Sequence, residues 1–411
     1  MNHNIKSNED YRVKKLLLLG GSRYILPVIR TAHELGVYVI TADYLPDNIA
    51  HKYSDEYVNV SVVDKEAVLE VAKAKHIDGI MSFACDPGVV TAAYVAEKMG
   101  LPSVGSYESV SILQDKGKFR KFLKDNGFNV PESKTYKGID EIEKDKEAIN
   151  YPIIVKPVDN AGSKGVKKVE SYHELIDAAY NAFENSRCGM IIVEDFLQPV
   201  GNPSDSDWFS IEGNIVFYSF NSQLFVKDGV NPYVPAGFYW KSTMSESAKT
   251  ELLQEIQRLI KLLDLKTSIY NVEVRECSNG KSYIMEVSPR GGGNRLAECI
   301  ELGMGVKLIE NSVRAALGIE LVEFTESYSA KNIAECILHN NKRGIYKKIQ
   351  TSMFIEKNIF EKDIWINEDD VVEIFTGANK AIGTLVLMFE NEEEMIETME
   401  SINKNVKVIV D

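Results

Sequence analysis

The sequence lacks the features that mark secreted, membrane-spanning or zinc-binding chains. Its five cysteines are odd in number, widely spaced and without a CxxC pair, so neither a disulfide framework nor a zinc knuckle is indicated. No apolar run approaches the roughly 18 residues that a membrane helix needs. Residues 1–12 are polar and contain no apolar segment of the kind that a secretory signal requires. These absences predict a cytoplasmic protein with no membrane partner, in which residues 1–12 are a loose extension.

Positive charge is also in short supply. The chain carries 47 Lys and Arg against 61 Asp and Glu, which gives a formal net charge of -14. That charge repels nucleic acid, so nucleic acid is not expected as a partner, and any anionic ligand requires a local basic site. With 44% hydrophobic and 26% charged residues over 411 positions, the composition is that of a globular protein. The length predicts about two to three domains.

Strands and helices alternate over residues 13–113. The apolar run Val13–Leu19 predicts a buried strand, and Gly20 to Ser22 break it before a helical pattern. The alternation predicts an N-terminal α/β domain with a doubly wound parallel sheet, whose ligands bind at the carboxyl ends of strands. Ser22 and Asp86 follow two such ends and are candidate substrate-binding residues. Asp86 is equally well placed to cap the helix that follows it.

Two more units are predicted after this domain. Residues 114–329 have the pattern of an α+β domain, with a lid at about 130–194, and residues 330–411 predict a small C-terminal α/β cap. The strongest motifs lie in the α+β domain.

A candidate phosphate-binding segment spans residues 151–169. A predicted strand ends at Lys156 and leads into a loop with Gly162, Ser163, Lys164 and Gly165, where the glycines let the backbone approach oxygen atoms and the lysines add positive charge. The chain has no GxxxxGK[ST] motif, so a P-loop is not predicted. A plain β-hairpin with a glycine turn is the alternative for this segment.

The strand that begins near Met190 becomes acidic at its end. Adenine needs an acceptor for its exocyclic amine and a donor for its ring, and the strand end at Glu194–Leu197 can offer both. Asp207 is a candidate acceptor for ribose hydroxyls. The alternative is that Glu194 and Asp195 are solvated loop charges.

Two predicted strands, YNVEVR at 270–275 and YIMEVSPR at 283–290, are joined by a tight polar turn. Their alternation predicts that Glu273 and Glu286 lie on adjacent strands and face the same side. Paired carboxylates on otherwise apolar strands suit Mg²⁺ that bridges ATP phosphates. A salt bridge with Arg275 or Arg290 is the structural alternative. Arg290, with the glycines that follow it, is a candidate for holding negative charge on a reacting group.

Taken together, these motifs resemble the ATP-grasp superfamily of carboxylate-amine ligases, in which the purine-synthesis glycinamide ribonucleotide ligases and formyltransferases and the amino-acid ligases are included. The resemblance rests on the order of Asp115-Lys116, Lys156, Asn160–Gly165, Glu194–Leu197, Glu273 and Glu286-Val287-Ser288-Pro289-Arg290. It implies an ATP-grasp α+β fold behind the N-terminal domain.

The resemblance also assigns roles to residues. It implies that the nucleotide is bound by Lys116, Lys156, Asn160, Gly162, Ser163, Lys164, Gly165, Glu194, Asp195, Phe196, Leu197 and Asp207. It implies that Mg²⁺ is bound by Glu273 and Glu286, and that substrates meet Ser22, Asp86, Arg290, Gly292, Gly293 and Asn294. Lys156 and Arg290 are the implied catalytic residues. Many relatives carry Asn where this chain has Ser288, which leaves the third metal ligand open.

The implied activity is the ATP- and Mg-dependent coupling of a small carboxylic acid to an amine through an acyl phosphate. The resemblance also makes a homodimer plausible. A nucleotide-binding module without turnover is one alternative, raised by Ser288. A nicotinamide-dependent oxidoreductase is another, raised by Asp43, which lies about twenty residues beyond Gly20. The missing GxGxxG motif argues against the latter.

Overall fold

The computed structural model describes residues 13–160, 162–226, 228–325 and 331–411, so the prediction for residues 1–12 lies outside the described residues. The N-terminal unit consists of β1 (Lys15–Leu19), α1 (Leu26–Glu34), β2 (Tyr38–Asp43), β3 (Glu56–Asn59), α2 (Lys65–Lys75), β4 (Gly79–Ser82) and α3 (Asp86–Met99). Its four strands form a parallel sheet in the order β3-β2-β1-β4, as the alternating pattern predicts.

Strand β1 shows why this sheet must be covered on both faces. Leu16 and Leu18 pack into one hydrophobic cluster, whereas Leu17 and Leu19 pack into another. A continuous apolar run is the expected sequence of such a strand. One of the two clusters also contains residues from a helix far along the chain, Leu308–Ala316, so the N-terminal sheet is packed against the rest of the protein.

A second sheet, called the lid sheet here, follows two linking helices. The elements are α4 (Tyr107–Gln114), α5 (Lys116–Asp125), β5 (Ser133–Tyr136), α6 (Ile139–Asp145), β6 (Ile153–Pro157), β7 (Lys167–Val169), α7 (Tyr172–Glu184) and β8 (Ile191–Asp195). The strands pair antiparallel in the order β5-β8-β6-β7. Helix α7 packs against one face, and the other face carries Ile154 and Lys156 into a cavity.

The third sheet, called the central sheet here, contains the predicted glutamate hairpin. The elements of this region are β9 (Ser204–Ile211), β10 (Asn214–Phe217), β11 (Ser222–Phe225), β12 (Pro235–Tyr239), α8 (Glu246–Leu262), β13 (Ser268–Glu276), β14 (Ser282–Ser288), α9 (Leu296–Met304) and α10 (Leu308–Ala316). The central sheet has the order β10-β9-β13-β14 and is antiparallel. Val272 and Val274 of β13 pack against α8, which leaves the opposite face of β13 for the cavity.

The C-terminal elements extend a sheet that begins earlier in the chain. They are β15 (Asn332–Leu338), β16 (Gly344–Thr351), α11 (Met353–Glu356), β17 (Ile359–Ile364), β18 (Val371–Val372), β19 (Gly383–Phe389), α12 (Glu392–Glu400), α13 (Ile402–Asn405) and β20 (Val406–Val410). A five-stranded sheet has the order β11-β12-β15-β19-β17, and a smaller one has the order β18-β16-β20. The C-terminal strands therefore share a sheet with β11 and β12. The domain boundaries drawn from the sequence stay predictions.

The predicted fold class is confirmed: a parallel α/β unit precedes antiparallel α+β sheets. Within the described ranges, no helix combines the length and apolar character that crossing a membrane requires.

Candidate active site

A cavity of about 400 Å³ lies between the lid sheet and the central sheet, with β11 and β12 along one side. It brings together many of the residues singled out in the sequence: Asp86, Lys116, Lys156, Asn160, Gly162, Ser163, Lys164, Glu194, Asp195, Phe196, Leu197, Glu273, Glu286, Arg290, Gly293 and Asn294. Ser22, Gly165, Asp207, Ser288 and Gly292 do not line it. The motifs thus meet in one place although they are far apart in the chain.

A row of three carboxylates crosses the floor of this cavity. Glu273 on β13 pairs directly with Glu286 on β14 and, on its other side, with Asp205 on β9. Residues paired across adjacent strands have their side chains on the same face of the sheet. The predicted convergence of the two glutamates is confirmed by this pairing, and Asp205 is an addition to it.

A β-bulge shapes the end of the row. The register of β13 and β14 shifts after the pair Glu273 and Glu286, so that Val274 pairs with Ile284 and Met285 has no partner. A bulge turns an extra side chain away from regular alternation. Both Met285 and Glu286 therefore line the cavity.

Each glutamate of the pair has one cation beside it. Arg275 donates to Glu273 over 2.7 Å, and Lys116 lies 3.3 Å from Glu286. The salt bridge with Arg275 that was the structural alternative is therefore present, whereas Arg290 pairs with neither glutamate. Both glutamate side chains are still 30% exposed, so oxygen atoms of each remain accessible from the cavity.

Glu273 and Glu286 suit a hard divalent cation whose other coordination positions are filled by substrate phosphates and water. In the described parts of the chain, no group of three His, Cys, Asp or Glu side chains is arranged to hold a metal alone. Magnesium is commonly held by one or two carboxylates together with substrate phosphates and water. Glu273 and Glu286 supply such a pair at the edge of a space large enough for a nucleotide.

Ser288 is not available as a third ligand. It is fully buried, and its hydroxyl donates to Asp86 over 2.9 Å while it accepts from Gln114 over 2.8 Å. The residue opposite it on β13 is Asn271, which does line the cavity. The Asn271 side chain thus brings an amide group to the cavity from β13, the strand that also carries Glu273.

Asp86 is paired with Arg290. The guanidinium donates from Nε over 2.9 Å and from Nη2 over 2.6 Å to the same carboxylate oxygen. Burial alone would raise the pKa of Asp86, but Arg290, the Ser288 hydroxyl and Lys116 outweigh it and lower that pKa. The N-cap of α3 is Cys85, and Asp86 lies in the first turn of that helix. Asp86 therefore does not cap the helix; its carboxylate holds Arg290 in place.

Asp207 supports the glycine loop and does not face the cavity. It is fully buried, and both of its carboxylate oxygens accept from the Gly292 N–H, over 2.9 and 3.1 Å. Burial raises the pKa of Asp207 to about 7 despite that hydrogen bond. A ribose contact does not fit this burial, which corrects the assignment of Asp207. The carboxylate that lines the cavity on this strand is Asp205.

A buried charge cluster holds the lysine of the lid sheet. Glu194 is ion-paired with Lys156 and, over 2.9 Å, with Arg120, which also donates to the Met285 carbonyl over 2.9 Å. Burial would raise the pKa of Glu194, but its two cations lower it to about 2. Burial lowers the pKa of Lys156 to about 8, since the attraction of Glu194 is offset by Arg120 and Lys116. Lys156 and Arg120 share the single carboxylate of Glu194, which leaves one positive charge in surplus, so this end of the cavity suits an anion.

The loop between β6 and β7 covers the same end of the cavity. The two strands pair antiparallel, so the segment is a hairpin with a glycine-containing loop, and that loop also lines the cavity. Gly162 and Ser163 have φ values of 69° and 58°, a region that glycine adopts readily. The Ser163 hydroxyl donates to the Tyr233 carbonyl over 2.7 Å, and Asn231 donates to the Ser163 carbonyl over 3.0 Å. The loop is therefore docked onto the segment between β11 and β12.

The end of β8 offers an apolar slot and one backbone donor. The Asp195 and Phe196 N–H groups already donate to Glu132 and Pro152 carbonyls. The Leu197 N–H makes no hydrogen bond with any described residue. Apolar side chains surround this point, from Ile154, Val166, Phe196, Leu197 and Met285. Because the Glu194 carboxylate is occupied by its cations, an adenine here would meet backbone groups of the strand end.

The glycine loop after β14 is packed too tightly for side chains at two positions. A Cβ on Gly291 would lie 2.2 Å from the Phe83 ring, and one on Gly292 would lie 2.6 Å from Leu296 Cδ1. At Gly293, which lines the cavity, the nearest atom to such a Cβ is Tyr24 Cδ2 at 4.0 Å. The first two glycines therefore serve packing, and the third keeps space open.

Sequence reasoning missed several residues that the cavity uses. Arg120 lies on the buried face of α5 with Phe119 and Leu123, and a charge that cannot reach water there requires a buried partner. Asp205 and Gln223 carry no motif. Conversely, Asp43, which suggested a nicotinamide site, accepts a hydrogen bond from the nearby Leu45 N–H over 2.8 Å.

Comparisons with protein families and with known proteins identify similar sequences. A family model described as ATP-grasp domain matches residues 113–294. The carbamoyl phosphate synthase large chain of Thermoanaerobacter sp. (strain X514) is 23% identical over 292 residues, which cover 71% of this chain and 27% of that protein. This chain spans about a quarter of the length of the curated relatives that it matches.

Two solved structures share the fold over nearly the whole chain. Phosphoribosylglycinamide synthetase from Anaerococcus prevotii has a TM-score of 0.74 at 23% identity, with 97% of this chain and 100% of that chain covered. L-amino acid ligase from Bacillus licheniformis has a TM-score of 0.79 at 18% identity, with 98% and 100% covered.

Proposed function

We propose, from the ATP-grasp domain that residues 113–294 form, that this chain is an ATP- and Mg-dependent ligase that couples a small carboxylic acid to an amine. The observation that carries the proposal is the arrangement of the cavity. A pair of carboxylates on the central sheet and the buried Lys156 of the lid sheet line the same space of about 400 Å³. The similar folds of the L-amino acid ligase and the phosphoribosylglycinamide synthetase support the same class of reaction.

ATP binds with its adenine in the apolar slot at the end of β8 and its phosphates toward the central sheet. The Leu197 N–H is the donor for the adenine ring, and Lys116, Lys156 and the loop at 160–165 hold the phosphates. Positive charges that are already in place stabilise phosphate charge without the reorganisation that water requires. Asp205 is the carboxylate on β9 that faces this space, and Asp207 is left to its structural role.

Glu273 and Glu286 would hold Mg²⁺, with the amide oxygen of Asn271 as the candidate third ligand. The ion would supply positive charge against the phosphates. Arg275 and Lys116, which pair with the two glutamates, offset the repulsion between the two carboxylates in the absence of the ion.

The reaction proceeds in two displacements. A carboxylate oxygen of the acid forms a bond to the γ-phosphorus of ATP, the bond to the β-phosphate oxygen breaks, and ADP is the leaving group. The amine nitrogen then attacks the carbonyl carbon of the acyl phosphate, and phosphate leaves as the nitrogen loses a proton. Arg290, held rigid by Asp86, balances negative charge on the reacting groups.

Docking of the lid loop excludes water from the reacting atoms. Its contacts with Tyr233 and Asn231 join the lid sheet to the segment between β11 and β12. An acyl phosphate hydrolyses in water, so a closed lid protects the intermediate until the amine arrives.

Release of ADP, measured over a panel of carboxylic acids with and without amines, tests the proposal. We expect ADP release that needs MgATP, an acid and an amine. Glu286→Gln should lower the rate by at least about 100-fold, because it removes one of the two carboxylates that would hold Mg²⁺ at the phosphates. Glu368→Gln, at an exposed residue, is the matched control and should keep the wild-type rate. Tight MgATP binding without ADP release on any pair would instead identify a module without turnover.

Two further points complete the proposal. We place the protein in a reducing cytoplasm, since its five cysteines are free. We also propose a homodimer, for which sedimentation equilibrium should give twice the mass of the chain.

A further inference from the structure

Gln223 on β11 lines the cavity, and its buried carbonyl oxygen has no hydrogen-bond partner among the described residues. The residue is 3% exposed. A buried acceptor without a partner costs free energy, so its retention indicates that a ligand supplies the donor.

The orientation of the Gln223 amide is set by its neighbour. Its Nε2 donates to Asp205 Oδ2 over 3.2 Å, while Asn271 donates to Asp205 Oδ1 over 2.7 Å. The amide nitrogen thus faces the carboxyl group of Asp205. The carbonyl oxygen therefore points away from Asp205, and a carboxyl group lies beside it.

A second residue that lines the same cavity, Arg275, also has a buried polar atom without a partner in the described part of the chain. Arg275 uses one terminal nitrogen to bind Glu273, and its Nε is buried and without a partner among the described residues. An acceptor beside a carboxyl group and a donor on a guanidinium together match a molecule that carries both an N–H group and a carboxylate. Phe225, Tyr233 and Pro235 line the same side and provide an apolar wall.

We propose that the acid substrate is an α-amino acid, whose ammonium group is bound by Gln223 Oε1 and Asp205 and whose carboxylate is oriented by Arg275 Nε. The proposal rests on the ligase function above and names the substrate class. Arg275 contacts Glu273, so a carboxylate oriented by Arg275 lies beside the glutamate pair proposed to hold Mg²⁺. The apolar wall then meets the side chain of the amino acid.

The test compares an amino acid with analogues that differ only in the amino group. ADP release is first measured with each standard amino acid in the presence of a second amine. The best acid is then compared with its des-amino and 2-hydroxy analogues. We expect kcat/KM to be at least about 100-fold lower for the des-amino acid, because a site built to bind an N–H group rejects a ligand without one.

Variants at Gln223 separate recognition from folding. Gln223→Leu, which has a similar volume and no acceptor, should raise KM for the amino acid by about 10-fold or more and reduce the preference over the des-amino acid. Gln223→Glu keeps an acceptor and should keep the preference. KM for ATP and the thermal shift caused by MgATP should not change in either variant.

Three outcomes are decisive against the proposal. Equal use of the des-amino or the 2-hydroxy acid by the wild type would overturn the amino acid assignment and leave the ligase function standing. An unchanged preference in a folded Gln223→Leu protein would exclude Gln223 as the recognition residue. Absence of ADP release with every acid and amine would overturn the ligase function together with this inference.

Discussion

At the scale of single residues, the site is dominated by charges that are buried before any ligand arrives. Lys156 and Glu194 are both buried, and Arg120 completes the cluster. Burying such a cluster costs desolvation free energy. We infer that the cluster is kept because its surplus positive charge binds an anion. The lowered pKa of Lys156 makes that function measurable.

ATP affinity should depend on pH through Lys156. Its pKa is about 8 in the protein without ligand, because burial disfavours the ammonium form. Phosphate beside the lysine favours that form, so binding above pH 8 must take up a proton. The dissociation constant of ATP should be flat below pH 8 and rise by up to about tenfold per pH unit above it. Calorimetry from pH 7 to pH 9.5 measures this, and the same slope in Lys156→Arg would contradict the assignment.

Glu335 should make the protein less stable as pH rises. Both of its carboxylate oxygens are buried without a partner among the described residues, and burial raises its pKa well above the usual value. A folded-state pKa above the unfolded one means that stability is full at low pH and is lost as pH rises toward the folded value. Glu335→Gln should therefore gain stability over wild type by up to about 1.4 kcal/mol per pH unit above about pH 4.3. Urea unfolding at pH 5 to 8 checks this, and a difference that does not vary with pH would refute it.

At the scale of elements, regular alternation made the central hairpin predictable. The strands YNVEVR and YIMEVS predict that Glu273 and Glu286 share a face, and their direct pairing confirms it. The bulge at Met285 was not predictable, because it depends on packing against neighbours. Asp205 and Gln223 were missed since their importance comes from pairing with residues distant in sequence. The sharing of one sheet by β12 and β15 has the same cause.

The glycine loop after β14 gives a prediction at this scale. Gly291→Ala should lower stability by about 1 to 3 kcal/mol, because its Cβ would lie 2.2 Å from the Phe83 ring. Gly293→Ala, where the nearest atom lies at 4.0 Å, is the matched control and should unfold like wild type. Thermal unfolding of both variants is the measurement, and equal midpoints would show that the loop yields easily.

At the scale of the whole molecule, the cavity is formed by sheets that belong to different parts of the chain. The lid loop contacts the segment between β11 and β12, and Asn231 of that segment also donates to Thr376, over 3.0 Å. These hydrogen bonds connect the lid loop to the segment between β11 and β12 and, through Asn231, to the C-terminal part of the chain.

Nucleotide binding should stabilise the whole chain. At a concentration 100 times its dissociation constant, MgATP should add about 2.7 kcal/mol to the free energy of unfolding. Thermal unfolding with MgATP should show a higher midpoint, whereas NADH should have no effect. Stabilisation by NADH with none by MgATP would support the oxidoreductase instead.

The central claim is that one divalent ion is shared by Glu273 and Glu286. A crystal structure with ADP and Mn²⁺, located by its anomalous scattering, tests this most directly. The account predicts an ion about 2.0–2.2 Å from a carboxylate oxygen of each glutamate and in contact with the phosphates. An ion elsewhere, with Glu273 still bound to Arg275 and Glu286 still beside Lys116, would contradict it.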